Sequence, residues 1–102
     1  MEINYASCFA ALGHQSRLDI YRLLIKTGDA GLNIGEIAAH LDVPLSTLAH
    51  HLGALTQAGL VIQDKEGRQT RNRADYNVMT RLIGFLGDEC CAGVPRVKVS
   101  VL

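Results

Sequence analysis

Residues Glu36–Val61 read EIAAHLDVPLSTLAHHLGALTQAGLV, and this stretch decides the fold. Apolar residues at Ile34, Ile37, Ala38 and Leu41 recur at helical spacing and predict a short helix over 34–41. Asp42-Val43-Pro44 breaks it. Pro44 suits the first turn of a new helix, where the missing N–H is no loss. Leu45, Leu48, Leu52 and Leu55 mark one face of that helix, which ends near Gly59. Two short helices joined by a tight turn form a helix-turn-helix. At Leu60-Val61-Ile62 the period shifts towards that of a strand.

Working outward, a first helix is expected over 5–12, stopped by Gly13, with Phe9 and Leu12 on one side. Ser16 suits the cap of a second helix over 17–26, where Leu18, Tyr21, Leu24 and Ile25 are spaced for burial and Gly28 ends the run. Downstream, the strand from Leu60 meets a turn at Glu66-Gly67-Arg68 and returns over about 70–77. A last helix over 78–89 carries Met79, Leu82, Ile83 and Leu86. Four helices, a hairpin and a fifth helix make a mainly α winged helix-turn-helix. Residues 1–93 form one domain, and residues 94–102 a tail that alternates weakly between apolar and polar positions.

The 102 residues suffice for one modest core. With 48% hydrophobic and 20% charged residues and no Trp, that core is aliphatic, and sharing apolar helix faces in a dimer would enlarge it. No stretch reaches the roughly 20 apolar residues of a membrane helix. The first residues lack the basic start and apolar run of a secretory signal. A cytoplasmic location is therefore expected, with reduced thiols. Three cysteines there are ligands, sensors or core residues rather than structural disulfides.

The net charge is zero, but Lys65, Arg68, Arg71 and Arg73 cluster against a single acid, Glu66, between positions 65 and 73. Such a stretch either contacts phosphates or forms a solvated hairpin edge that resists aggregation. On the fourth helix Ser46, Thr47, His50 and Gln57 project away from the leucine face, with His51 at its flank. Hydroxyls near a helix start reach phosphates and bases, and His and Gln bond base edges. An ordinary solvated face would look the same. The place of this helix, second in a helix-turn-helix and followed by a basic hairpin, favours DNA.

ALGHQSRLDIYRLL (Ala11–Leu24), the stretch Glu36–Val61 and a wing beginning EGRQ (Glu66–Gln69) together resemble the ArsR/SmtB family of winged-helix repressors. The resemblance covers most of the chain, and STLAHHLGALTQAGLV is its specific part. It implies a homodimer through the first and last helices, bound to a palindromic double-stranded operator and released by an inducer. Two recognition helices about 34 Å apart would enter successive major grooves. The DNA-contact positions of the family fall on Ser46, Thr47, His50 and His51, with Arg68 and Arg71 in the wing. Lys65 and Gln57 extend that surface. Many relatives have Ser where this chain has Ala49, so one hydroxyl contact is lost.

The inducer site is read from the cysteines. The Cys-x-Cys arsenic site of the family would fall at Asn33-Ile34-Gly35, which holds no thiol. A zinc site on the last helix needs His as well as acids, and 78–89 has no His. His14 and His40 read as surface or core-edge residues. That leaves Cys8 and the pair in GDECCAG (Gly87–Gly93). Thiolates favour soft centres. Neighbours on a regular helix point about 100° apart, but at a fraying end before Gly93 both thiols can turn to one atom.

Some arsenic-responsive family members carry a Cys-Cys pair after the last helix, then Gly, Pro and a third Cys. This chain keeps the pair, Gly93 and Pro95, but has Val97 and Lys98 at the candidate third positions. The resemblance therefore implies trivalent arsenic, antimony or a methylated arsenical as inducer at Cys90 and Cys91. Cys8 is a third ligand or, beside Phe9 and Ala10, a small core residue. A redox or reactive-sulfur sensor of the same fold is the alternative. It is weakened by Asp88, Glu89 and the negative helix end, which disfavour thiolates. A small thiol enzyme is least supported: the chain has no Cys-x-x-Cys, no phosphate loop, and no acid–base set beside the pair.

Overall fold

The computed structural model describes residues 2–97 and residue 100. Among them, helices α1 (Tyr5–Leu12), α2 (Gln15–Thr27), α3 (Ile34–Leu41) and α4 (Leu45–Gln57) precede a hairpin of β1 (Val61–Glu66) and β2 (Gln69–Ala74), and α5 (Tyr76–Gly87) closes the domain. This is the expected winged helix-turn-helix order. Residues 94–97 have no regular structure, and the remainder of the tail, apart from residue 100, lies outside the described residues. No described helix is long and apolar enough to cross a membrane.

Local chemistry sets the boundaries. Asn33 Oδ1 accepts from the Glu36 N–H at 2.8 Å and Glu36 Oε1 accepts from the Asn33 N–H at 2.9 Å, a reciprocal cap that starts α3. His14, not Ser16, caps α2: its Nδ1 accepts from the Ser16 N–H at 3.3 Å, so the helix starts before Arg17. α4 ends in a Schellman turn, with Leu60 N–H on the Leu55 carbonyl and Gly59 N–H on that of Thr56, both at 3.0 Å. Asp75 caps α5 through the N–H groups of Asn77 and Val78. For that reason β2 stops at Ala74 instead of 77 and α5 begins at Tyr76 instead of 78. α5 also ends at Gly87, leaving Cys90 and Cys91 beyond it.

The core is built from Ile20, Tyr21 and Leu24 of α2, Ile37 of α3, Leu48, Leu52 and Leu55 of α4, and Leu60, Val61 and Ala74 at the root of the wing. α1 adds Cys8 and Ala11, and α5 adds Val78 and Leu82. Leu45, placed by its spacing on the inward face, is instead 55% exposed. It stands at the first position of α4, and a helical side chain covers the turn before its own Cα. Here that turn is the Pro44 loop, with no core above it.

A contact not legible in the pattern ties the wing down. Leu32 and Asn72 exchange backbone hydrogen bonds at 2.9 and 2.8 Å. The buried Asn72 side chain adds a bond to the Leu32 carbonyl and accepts one from Gln63 Nε2. Gly31, with φ +62°, permits this approach, because a Cβ there would stand against the Asn72 carbonyl oxygen. At the other end, the Tyr76 hydroxyl donates to the carbonyls of Leu24 and Ile25, anchoring α5 to α2. The rings of Tyr5 and Phe85 stack at 4.0 Å, joining α1 to α5.

Candidate nucleic-acid interface and thiol pair

Ser46, Thr47, His50 and Gln57 are all exposed on α4. Pro44 supplies no side-chain cap, so the first N–H groups of α4 face outward without a partner from it. Such N–H groups and nearby hydroxyls suit phosphate oxygens. His51 departs from the expected set: it is buried at 6% exposure. Arg17 Nε donates to His51 Nδ1 at 3.3 Å, and the His14 ring lies 4.8 Å away, centroid to centroid. Burial above all, then the proximity of His14, Arg17 and His50, pushes the His51 pKa down and favours the neutral acceptor. His51 thus holds the start of α2 against α4. The signal was available, because Leu48, His51, Leu52 and Leu55 follow the inward helical spacing.

The wing cations divide into two groups. Glu66 pairs with Gln69 in the β register, leaving Gly67 and Arg68 as a two-residue turn. Gly67 has φ +64° and sits at the position a type II′ hairpin reserves for glycine. Lys65 and Arg68 are exposed, and no ion pair joins either among the described residues. Arg71, expected to contact DNA, lies 3.5 Å from Asp64 and 3.7 Å from Glu66, while Arg73 Nε donates to Asp64 at 2.8 Å. The Arg73 hydrogen bond, chiefly, holds the Asp64 carboxyl below its usual range. Arg71 is therefore engaged within its own hairpin. A groove of about 530 Å³ separates α4 from the wing, with Ala49 and Gly53 on one wall and Arg68 and Gln69 on the other.

Cys90 and Cys91 are exposed, and their Sγ atoms lie 3.3 Å apart. The chain turns after α5 through Cys90 N–H to the Gly87 carbonyl and Ala92 N–H to that of Glu89. Cys91 takes φ +61°, a left-handed conformation uncommon for a residue with a Cβ. This break from helical geometry brings adjacent side chains together. Cys8 is 1% exposed, its Sγ donates to the Ala58 carbonyl at 3.3 Å, and burial raises its pKa. The described residues hold no group of three or more His, Cys, Asp or Glu poised for a metal ion. Within one protomer, then, the structure brings the pair together without Cys8.

A family model described as a helix-turn-helix domain matches residues 12–64. The HTH-type transcriptional regulator CmtR of Mycobacterium tuberculosis is 35% identical over 65 residues, covering 64% of this chain and 55% of the relative. The putative arsenical resistance operon repressor ArsR of Halobacterium salinarum is 39% identical over 70 residues, covering 65% and 54%. The chain thus spans little more than half the length of these relatives. Among solved structures, an ArsR-like transcriptional regulator from Rhodococcus sp. RHA1 superposes with a TM-score of 0.72 at 34% identity, covering 82% of this chain and 76% of the other. The homodimeric winged helix-turn-helix DNA-binding domain of Mb0332 from Mycobacterium bovis superposes with a TM-score of 0.64 at 26% identity, covering 90% and 86%.

Proposed function

The chain belongs to the ArsR/SmtB family of winged helix-turn-helix transcriptional regulators, and from that premise we propose that it is a cytoplasmic homodimeric repressor released from its operator by trivalent arsenic at Cys90 and Cys91. The family is one of DNA-binding regulators rather than enzymes. On the DNA side, α4 supplies Ser46, Thr47, His50 and Gln57 to the major groove, and the wing supplies Lys65 and Arg68 to phosphates. Opposite charge and exposed donors support that assignment. The exposed apolar face of α5, Ile83 and Leu86, supports a dimer that covers it.

The carrying observation for the inducer is the 3.3 Å separation of two exposed thiols. Two bonds of about 2.3 Å, the length of a metal–thiolate bond, meeting near a right angle would hold two sulfurs about 3.3 Å apart. The pair therefore fits a soft pyramidal centre such as trivalent arsenic or antimony, with thiol protons displaced on binding. Two thiols satisfy a methylated arsenical completely, since carbon fills its third position. The arsenical name of the Halobacterium relative agrees in kind. The same short separation would also serve oxidation by a thiol oxidant or reactive sulfur.

The test is release from DNA, read by fluorescence anisotropy, with arsenite and a methylated trivalent arsenical. Cys90→Ser/Cys91→Ser should bind DNA as the wild type does yet no longer respond, and Cys8→Ala should bind as much arsenic as the wild type. A full response from the double variant sinks the site assignment. A disulfide or polysulfide in the mass spectrum, in place of an arsenic adduct, would select the redox reading.

A further inference from the structure

Leu45 is a large aliphatic side chain, 55% exposed, next to the exposed polar residues Ser46 and Thr47. Leu45, Ala49 and Gly53 recur every fourth residue and all are exposed, so an apolar stripe runs along the outward face of α4. Ser46, Thr47 and His50 flank it, and Ala49 and Gly53 form one wall of the groove that faces Arg68. The uncapped N–H groups of the first turn lie beside Leu45. Donors at one end and a cation across the groove favour an anionic partner with an apolar group between its charges. Duplex DNA has that form: phosphates border a major groove in which the thymine 5-methyl is the apolar feature of a base-pair edge.

We infer that Leu45 reads a thymine methyl group in each operator half-site and is a specificity-determining residue of the recognition helix. The inference rests on the DNA-binding reading above and deepens it. Ala49 leaves room beside Leu45 where a longer side chain would fill the stripe.

The experiment selects binding sites from random-sequence duplexes with the wild-type protein, then replaces each half-site thymine by deoxyuridine, which lacks only the 5-methyl. At one thymine position the loss of that methyl should weaken wild-type binding about fourfold per half-site, the effect of one methyl-sized group returned to water, and about fifteenfold for both. Leu45→Ala should bind the two duplexes equally, and Leu45→Met should keep the discrimination. Because the side chain is exposed, Leu45→Ala should melt as the wild type does. Equal wild-type affinity for the thymine and deoxyuridine duplexes at every position overturns the inference, as does discrimination retained in Leu45→Ala. Wild-type binding with no sequence preference would instead sink the operator-binding reading on which it rests.

Discussion

Leu86→Ala tests the proposed dimer at the most exposed large apolar residue of α5. In the protomer Leu86 is 70% exposed on α5, three residues from Ile83 and next in the chain to Phe85, whose ring stacks on Tyr5 of α1. Most of its surface can therefore be covered only by a partner. The substitution removes three carbons, worth about 2.4 kcal/mol on full burial at about 0.8 kcal/mol each. Scaling by the 70% that is available to a partner leaves about 1–2 kcal/mol per copy. A two-fold interface carries the change twice, so the dimer loses about 2–4 kcal/mol, and its dissociation constant rises between ~30-fold and ~800-fold. Sedimentation velocity over a dilution series measures that constant. The protomer itself should stay folded, because the removed carbons do not pack in its core. Dimerisation by Leu86→Ala within twofold of wild type would refute the assignment of this face, and a wild type monomeric at tens of micromolar would refute the dimer.

Two more outcomes follow from the charged groups. The neutral form of His51 is favoured in the folded state by burial, with His14, Arg17 and His50 facing it, so its folded pKa lies below the ordinary 6.5. Its contribution is present in full above the unfolded pKa and is lost as pH falls towards the folded one. Wild type should therefore lose more melting temperature between pH 7.5 and 5.5 than His51→Gln, which keeps an acceptor for Arg17 but does not titrate; parallel losses would contradict the part-buried Arg17–His51 link. In the wing, Arg68→Ala should make the salt dependence of operator binding shallower by about 0.9 per protomer, the effect of one phosphate contact, and Arg71→Ala should change it clearly less. Equal changes would mean that Arg71 leaves Asp64 and Glu66 to meet DNA.

The helices were legible because their signals are local. Helical periodicity, Pro44 at the start of α4 and Gly59 at its end act within a turn or two of chain, and they delimit α3 and α4 closely. The winged order was legible for the same reason, as was the loosening of the backbone that lets Cys90 and Cys91 converge. The errors fall where a cap or a neighbour from elsewhere decides. Asp75 shortens β2 by capping α5, and His14 starts α2 in place of Ser16. The Leu32–Asn72 bridge joins segments 40 residues apart and leaves no periodic trace.

Local signals in the sequence specify the helix-turn-helix, the basic hairpin and the adjacency of the two thiols. The tertiary structure decided which of those side chains are accessible. It buried His51 against Arg17, paired Arg71 with acids of its own hairpin, sealed Cys8 in the core, and left Leu45 and Leu86 uncovered. The physical reason is that periodicity assigns a residue to a face of its helix, whereas exposure depends on what packs against that face. That neighbour comes from a distant segment or from a second chain.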